Sequence, residues 1–287
     1  MKTVIIGKHS YIGENAAKWI AVKNPYDIIE VIDSHTEWES YDFAGTDAVV
    51  MAAGIVHHPE ITDWSVYERV NIELPVAAAR RAKDAGVSLF IFLSTMGVYG
   101  REKSLKPQII EKNDITVGIG FYSKSKLIAE KKLSELEDGA FRIAVVRPPN
   151  VYGKKCPGRY ITTYESIIRR LPIIPSAYEN VRQSIIYIDN LSELISIIAE
   201  QRLSGVFTPQ DDCAVSAVEL MKAIAGGMRL HRSFSKFLGL GVKLLAWTPI
   251  VRKAYGGIEY DMKSSGIEGE SYIVVPFSEA IRRTVGE

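Results

Sequence analysis

Short apolar strands alternate with helical segments along the first half of this 287-residue chain, and this alternation limits its fold more than any other feature. K-T-V-I-I-G predicts a buried strand, residues 11–22 a helix, and residues 27–33 a second strand. Further strands are predicted over 47–53, 87–94 and 141–147, with helices over 71–85 and 123–136 between them. This order is typical of an α/β fold with a doubly wound parallel sheet, whose ligands bind at the carboxyl ends of the strands.

Composition and charge exclude several classes of protein. A formal net charge of +1 gives no electrostatic reason to expect a nucleic-acid partner. Cys156 and Cys213 lack the spacing of metal ligands, and the histidines show no metal-binding pattern, so no metal site is predicted. His57 and His58 are interpreted as surface or packing residues of a loop.

The apolar stretches are too short for a membrane span. The run over 4–7 leads directly into a glycine turn and does not resemble a signal peptide, so a cytoplasmic location is predicted. The longest stretch, 237–251, is interrupted by Lys243 and Pro249. Its basic flanks suit a membrane surface, but a helix that covers a site in a smaller lobe is the favoured interpretation.

The first strand runs into G-K-H-S-Y-I-G, in which Gly7 and Gly13 bracket a tight turn into a helix. The free N–H groups at a helix start can bind a pyrophosphate. Asp33 ends the second strand 20 residues after Gly13, where a carboxylate can accept hydrogen bonds from the adenosine ribose. The same carboxylate would repel the extra phosphate of NADP, so the predicted cofactor is NAD; a simple turn residue is the alternative interpretation of Asp33.

Y-S-K-S-K places Tyr122 and Lys126 four residues apart at the start of a predicted helix. Residues at this spacing share one helix face, and an ammonium beside a phenol lowers the pKa of the phenol. Tyr122 is therefore a candidate general base for a sugar or alcohol hydroxyl. Tyr99 and Lys103 repeat the spacing, but they follow a strand with no helix to fix their geometry, so Tyr99 is interpreted as structural.

Taken in order, these motifs resemble the extended short-chain dehydrogenase/reductase family, in its NAD-dependent nucleotide-sugar epimerase/dehydratase branch, over essentially the whole chain. The resemblance implies a Rossmann-type sheet with a smaller C-terminal substrate lobe. It implies catalysis by Thr95, Tyr122 and Lys126. It also implies NAD contacts from Gly7, Ser10, Tyr11, Ile12, Gly13, Asp33, Ala52, Ala53, Gly54, Asn71, Ser94, Tyr122, Lys126 and Pro149, and substrate contacts from Thr95, Asn150, Arg159 and Arg182.

The sequence departs from the family pattern at three places. Ser10 replaces the middle glycine of the first turn. Only 13 residues separate Asp33 from Asp47, which is too few for a full helix and strand. One crossover of the fold is therefore predicted to be abbreviated. Asp42 and Phe43, within this short connection, are candidates for the adenine contact. Gln183 stands where the family often has an arginine, and Arg182, one residue away, would point to the other face of a strand.

The resemblance implies that Tyr122 removes a proton from the sugar 4-hydroxyl while a hydride leaves carbon 4, so that a 4-keto sugar forms. Met96 and Gly97 stand where a dehydratase has an acid and a base, which disfavours dehydration. A nucleotide-sugar 4-epimerase with a UDP-linked substrate, in polysaccharide biosynthesis, is the first interpretation. An NAD(P)H-dependent 4-keto-sugar reductase is the second, and a non-catalytic NAD-binding sensor is the third.

The predicted domains follow the same resemblance. Residues 1–151 form the NAD-binding domain, to which 184–204 return, and residues 152–183 and 205–287 form the substrate lobe. The family also implies a homodimer through helices that flank the active site.

Overall fold

The computed structural model describes residues 1–56 and 60–286, and these form two compact units. Unit 1 comprises residues 1–100, 114–148 and 191–209. Unit 2 comprises residues 101–113 and 149–190 and then the chain from Gln210 onward. His57 and His58, interpreted above as loop residues, lie outside the described residues.

The regular elements of the described chain are numbered in chain order. The strands are β1 Lys2–Ile6, β2 Ile28–Ile32, β3 Ala48–Met51, β4 Leu89–Leu93, β5 Ile109–Ile110, β6 Arg142–Val146, β7 Asn150–Tyr152, β8 Ile173–Pro175, β9 Arg182–Gln183, β10 Ile185–Tyr187, β11 Gly205–Phe207, β12 Val215–Ser216, β13 Ser233–Ser235 and β14 Glu259–Tyr260. The α-helices are α1 Tyr11–Lys23, α2 Trp64–Glu68, α3 Leu74–Asp84, α4 Gly120–Ser134, α5 Tyr160–Arg170, α6 Ile188–Gln201, α7 Ala217–Gly227, α8 Lys236–Leu244, α9 Pro249–Tyr255 and α10 Phe277–Val285. A π-helical turn, Arg69–Glu73, joins α2 to α3, and short 3₁₀ turns span Met96–Tyr99 and Met262–Ser265.

Unit 1 is built on a six-stranded sheet in the order β11-β6-β4-β3-β1-β2, and every neighbouring pair is parallel. Every residue of β3 and β4 is buried, as expected for central strands that are covered on both faces. The parallel doubly wound sheet predicted from the strand–helix alternation is confirmed. Because the strands run in one direction, the residues that follow β1, β2, β3 and β4 meet at one edge of the sheet.

The connection between β2 and β3 contains turns and no helix, which confirms the abbreviated crossover. Phe43 within it is buried in the core, and its ring packs edge-on against Tyr41 with the centroids 4.9 Å apart. The suggestion that Phe43 contacts an adenine is therefore wrong, because its side chain takes part in packing the core. The helix predicted over 71–85 is present as the π-turn followed by α3, with Pro75 in the first turn of α3.

The two units divide the chain differently from the predicted domains, for reasons of strand pairing. Residues 101–113 belong to unit 2, where β5 pairs with β14. Residues 184–190 also belong to unit 2, where β10 pairs with β7, whereas β11 pairs with β6 in unit 1. These pairings link segments far apart in sequence, so local sequence patterns do not predict them.

A buried carboxylate, Asp211, connects four segments of unit 2. It accepts hydrogen bonds from the Tyr152 hydroxyl at 2.6 Å and from Tyr187 N and Asn190 Nδ2, both at 2.9 Å. Asn190 Oδ1 in turn accepts from the backbone N–H of Val275 at 2.9 Å. Burial raises the pKa of Asp211 to about 6, in spite of these donors.

We expect Asp211→Ala to lower the free energy of unfolding by about 3 kcal/mol, because three buried donors lose their acceptor. Urea denaturation of the two proteins measures the difference. Asp212→Ala is the neighbouring control, since its carboxylate accepts one exposed N–H, that of Phe277. Equal losses in the two variants would contradict the role given to Asp211.

Within residues 1–56 and 60–286, none of the helices has both the length and the apolar composition needed to cross a membrane. The same residues contain no group of three or more potential metal-ligating side chains. Cys156 and Cys213 are free thiols, each partly exposed.

Candidate active site

The turn after β1 brings the backbone of unit 1 into close contact at the edge of the sheet. Gly7 has a φ of +137°, and a Cβ on it would lie 2.8 Å from the backbone nitrogen of Ala53. Ala52 N and Ala53 N both donate to Ile6 O at 2.9 Å, which fixes the end of β3 against that of β1. Only glycine combines this backbone conformation with this approach.

We expect Gly7→Ala to lower the free energy of unfolding by about 1–3 kcal/mol and to abolish NAD binding, because the turn must shift to admit a methyl group. Denaturation and titration with NAD measure the two effects. Gly139→Ala is the matched control, since a Cβ there has no neighbour within 4 Å. Unchanged NAD affinity in Gly7→Ala would contradict the assignment of this turn to the cofactor.

Helix α1 starts directly after this turn, and Ser10 is its N-cap. Its hydroxyl accepts a hydrogen bond from Gly13 N at 3.3 Å, so the side chain is used within the helix start. A Cβ on Gly13 would lie 3.0 Å from the Ala52 side chain, which explains the close packing of α1 on the sheet. Tyr11 and Ile12 form the first turn, where backbone N–H groups and the helix dipole favour an anion.

Asp33 follows β2 at the same edge. Its Oδ1 accepts from the backbone N–H groups of His35 at 2.6 Å and Thr36 at 3.0 Å, and these bonds hold the pKa of Asp33 below its usual range. The Glu37 carboxylate accepts from Asp33 N at 2.7 Å. Asp33 therefore does shape a turn, as the alternative interpretation held, and its contact with an adenosine ribose stays a prediction.

Asn71, in the π-turn, connects the end of β3 to α4. Its side chain accepts from Ile55 N and donates to Ile55 O, both at 2.9 Å, and it donates to Ser125 Oγ at 3.0 Å. The Ser125 hydroxyl then donates to Tyr122 O at 2.8 Å. Single π-turns often occur at functional sites, and here the extra residue turns a buried amide toward the helix that carries Tyr122.

Helix α4 begins at Gly120, three residues before the predicted start, so Tyr122 and Lys126 both lie within it. The side chain of Thr95, which follows β4, lies close enough to the Tyr122 phenol to lower its pKa, although burial raises that pKa more strongly. Thr95 Oγ1 also accepts from Gly97 N at 3.1 Å and caps the 3₁₀ turn. A Cβ on Gly97 would lie 2.5 Å from Ser123 Oγ, so glycine at this position lets α4 approach the end of β4.

Lys126 is buried, and its ammonium lies at the end of the same strand. It donates to Leu93 O at 2.8 Å and lies over the Phe92 ring, 4.6 Å from the centroid. A Cβ on Gly54 would come within 3.0 Å of Nζ, which accounts for the glycine of A-A-G. Burial lowers the pKa of Lys126 to about 8, and the nearby Glu130 carboxylate acts in the opposite direction.

The lowering of the Tyr122 pKa that was expected from Lys126 is opposed by burial of the phenol. Burial raises the pKa of Tyr122 to about 12, and the opposing influence comes from the side chain of Thr95. Desolvation of the phenolate exceeds the effect of an ammonium that is directed at Leu93 O. Burial thus favours the neutral phenol of Tyr122 at pH 7, and a role as a base would require a ligand that favours the phenolate.

A buried ion pair that was not predicted from the sequence lies beneath these residues. Arg147 donates to both carboxylate oxygens of Glu130, at 3.1 and 2.6 Å, and to the Tyr99 hydroxyl at 2.9 Å. The Ser94 hydroxyl donates a short hydrogen bond to the same carboxylate. One feature of the sequence pointed to a carboxylate here: Glu130 lies four residues after Lys126, and this spacing places both side chains on one face of the helix. Tyr99 is buried and bonded within this network, in agreement with a structural role.

The remaining predicted residues belong to unit 2. Pro149 is buried, Asn150 is the exposed first residue of β7, and Arg159 is exposed at the start of α5. Arg182 is half-exposed, and its guanidinium lies 3.5 Å from the Glu219 carboxylate, whereas Gln183 is buried. Their contacts with a substrate stay predictions.

Lys103 is a cation of unit 2 that the sequence did not single out for a site. Its ammonium donates to Gln183 Oε1 at 3.2 Å and lies 5.4 Å from the centre of the Tyr160 ring. Burial and the nearby Lys253 lower its pKa. A cation in these surroundings would be stabilised by an anionic ligand.

The edge of the sheet in unit 1 fits a dinucleotide. Gly7 leaves a space that a Cβ would fill, the positive N-terminal end of the α1 dipole faces this edge, and the Asp33 carboxylate follows β2. When bound there, NAD supplies a reversible acceptor for a hydride. The residues of the chain supply binding, a proton donor at Tyr122 Oη, and a hydroxyl partner at Thr95.

Comparison with known proteins gives the family. Residues 3–207 match the model of the NAD dependent epimerase/dehydratase family. A UDP-glucose 4-epimerase of Vibrio cholerae is 27% identical over 226 residues, which cover 76% of this chain and 68% of that protein. The N-acetyl-alpha-D-glucosaminyl-diphospho-ditrans,octacis-undecaprenol 4-epimerase of Escherichia coli O157:H7 is 28% identical over 155 residues, or 53% of this chain and 45% of that protein.

Solved structures agree on the fold. UDP-glucuronic acid 4-epimerase from Bacillus cereus, in complex with NAD, superposes with a TM-score of 0.73 at 15% identity and covers 99% of this chain and 97% of its own. A dTDP-4-dehydrorhamnose reductase from Clostridium acetobutylicum superposes with a TM-score of 0.67 at 15% identity, and the match covers 82% of this chain and 83% of the reductase chain. The Rossmann-type fold is confirmed.

The chain belongs to the NAD dependent epimerase/dehydratase family, within the extended short-chain dehydrogenases/reductases. It is an NAD-dependent enzyme, as the sequence motifs predicted.

Proposed function

We propose that this enzyme is a nucleotide-sugar 4-epimerase, with a UDP-linked sugar as substrate and polysaccharide precursor synthesis as its role. The observation that carries the proposal is the placement of Thr95 just after β4, with the buried ammonium of Lys126 donating to Leu93 O at the end of that strand and Tyr122 one helical turn before Lys126 in α4. Substrate and NAD are both metabolites of the cytoplasm, which is the proposed compartment. The names of the relatives from Vibrio cholerae and Escherichia coli O157:H7 support 4-epimerisation of diphosphate-linked sugars.

The proposed reaction moves one proton and one hydride and returns both. Tyr122, as the phenolate, takes the proton of the sugar 4-hydroxyl while carbon 4 loses a hydride, which leaves a 4-keto sugar. Thr95 donates a hydrogen bond to the reacting oxygen and orients it. The hydride then returns to the opposite face of carbon 4, and Tyr122 returns its proton to the oxygen, so that there is no net oxidation.

Two neighbouring residues argue against dehydration at this site. Met96 and Gly97 follow Thr95 in the 3₁₀ turn, and neither has a group that transfers a proton. A 4-keto-sugar reductase needs no further acid or base and is the second candidate function. The carboxylates of Asp33 and Glu37 at the end of β2 count against the NADPH that such reductases commonly use.

The test combines the resident cofactor with an isotope experiment. Protein purified without added cofactor is denatured, and the released nucleotide is identified by mass spectrometry; we expect oxidised NAD near one per chain. UDP-sugars that carry deuterium at carbon 4 are then incubated with the enzyme, and the product is analysed by NMR. An epimerase keeps the deuterium on carbon 4 of the inverted sugar without added reductant. An empty protein that reduces 4-keto sugars with NADPH would overturn the proposal in favour of a reductase.

A further inference from the structure

Helices α8 and α9, with the residues between them, expose a row of large apolar side chains. Phe237 and Leu244 are each 80% exposed, Trp247 is 81% exposed and Ile250 is 79% exposed. The complete set, named here the apolar face, is Phe237, Leu238, Leu240, Leu244, Leu245, Trp247 and Ile250. Seven large apolar side chains exposed within residues 237–250 indicate an interaction surface. The predicted helix is present as α8 and α9, and its role as a cover over a site stays a prediction.

This segment is anchored to the rest of unit 2 by other side chains. A Cβ on Gly239 would lie 2.0 Å from Ser176 O, so the backbone of α8 at this glycine packs directly against the backbone of Ser176. The Tyr255 hydroxyl donates to Pro175 O at 2.9 Å, and the Tyr164 hydroxyl donates to Ala254 O at 2.9 Å. The apolar face is therefore the outward side of a fixed element.

The surroundings of the apolar face are cationic. Residues 228–258 contain no aspartate or glutamate and six cations, Arg229, Arg232, Lys236, Lys243, Arg252 and Lys253. The whole chain has a net charge of only +1, so the remainder is net acidic. The pKa of the Glu179 carboxylate is lowered by its hydrogen bond with Ser176 and by the nearby Lys222, Lys236 and Lys243. The other four cations of residues 228–258 leave that segment with a net positive charge. A partner must therefore be both apolar and anionic.

We propose that the apolar face docks this enzyme on the surface of an anionic lipid bilayer, with α8 and α9 in the plane of the interface. Apolar side chains enter the acyl boundary, Trp247 lies at the headgroup level, and lysines and arginines extend to the lipid phosphates. A second copy fits less well, because a symmetric contact of this face with itself would bring the six cations together. The inference concerns a surface and does not depend on the sugar that the site accepts.

Co-sedimentation with vesicles tests the proposal on the full chain. We expect binding to vesicles of phosphatidylethanolamine and phosphatidylglycerol at 3:1, and at least tenfold weaker binding to phosphatidylcholine. Leu244→Ser/Trp247→Ser/Ile250→Ser should abolish the binding. Lys243→Ser/Arg252→Ser/Lys253→Ser should weaken it by about tenfold or more. Val22→Ser/Tyr26→Ser removes exposed apolar groups elsewhere and should bind as the wild type does.

The outcomes separate the bilayer from a protein partner. Binding that is lost in the apolar variant, weakened in the cationic variant and weakened by 0.5 M salt supports the proposal. Equal sedimentation of all variants would overturn it. So would a wild-type dimer in ultracentrifugation that becomes a monomer in the apolar variant while no form binds vesicles, since the occupant would then be a second copy. Sugar turnover with a water-soluble substrate, measured in parallel, should be the same in all variants.

Discussion

Tyr122→Phe is expected to reduce turnover by about 10²–10⁴-fold while NAD stays bound, because the variant removes only the group that exchanges a proton with the substrate. The backbone of Tyr122 keeps its hydrogen bond from Ser125, so α4 should remain in place. Turnover is measured with a UDP-sugar that the wild-type enzyme converts in the isotope experiment, and NAD binding is measured by calorimetry.

Tyr99→Phe is the matched control for this experiment. Tyr99 also lies four residues before a lysine, but it is buried and its hydroxyl accepts from Arg147 within the structural network. Its loss should cost about 1–3 kcal/mol of stability and should affect turnover far less than Tyr122→Phe. If confirmed activity persisted in Tyr122→Phe, the assignment of the proton to this phenol would be wrong.

Breaking the buried pair of Glu130 and Arg147 is the second change with a large expected effect. Arg147→Met leaves a buried carboxylate without its counter-charge, and Glu130→Gln leaves a buried guanidinium, so each should lower the free energy of unfolding by about 3–5 kcal/mol. The double variant should lose much less than the sum of the two, because it removes both charges together. Urea denaturation of the four proteins measures the cycle, and additive losses would show that the pair is not coupled.

The same pair should set the proton affinity of Lys126. The Glu130 carboxylate raises the pKa of Lys126, so Glu130→Gln should move that pKa below about 8. The protonated fraction of Lys126 then falls at a lower pH, and any limb of the pH–rate profile that depends on its ammonium should move to lower pH as well. Glu135→Gln, on the exposed end of the same helix, is the control that should leave the profile unchanged. A profile that is the same in Glu130→Gln would contradict the coupling.

Much of the candidate site was predictable from short segments of sequence. The spacing of Tyr122 and Lys126 places both on one face of a helix wherever that helix packs. Gly7, Asp33 and Thr95 each follow an apolar strand, and parallel strands bring such residues to one edge. The 13 residues between Asp33 and Asp47 limited the crossover by length alone.

The contacts of buried groups were not predictable in this way, because they depend on residues distant in sequence. Glu130 meets Arg147 only because α4 packs beside β6, and Asp211 gathers donors from three other segments of unit 2. The pKa of Tyr122 depends on how much of its surroundings excludes water, and no local spacing gives that quantity.

The sequence by itself determined the class of fold, the glycine turn after the first strand and the helix face that carries Tyr122 and Lys126, since each follows from a local period or a strand end. The tertiary structure decided which charges are buried together, where the ammonium of Lys126 points, and that the apolar residues over 237–250 face outward. An apolar run has the same pattern whether it is buried or exposed. Only the packing of α8 through Gly239 shows which side is covered, and the side left open is the one that we infer meets a membrane.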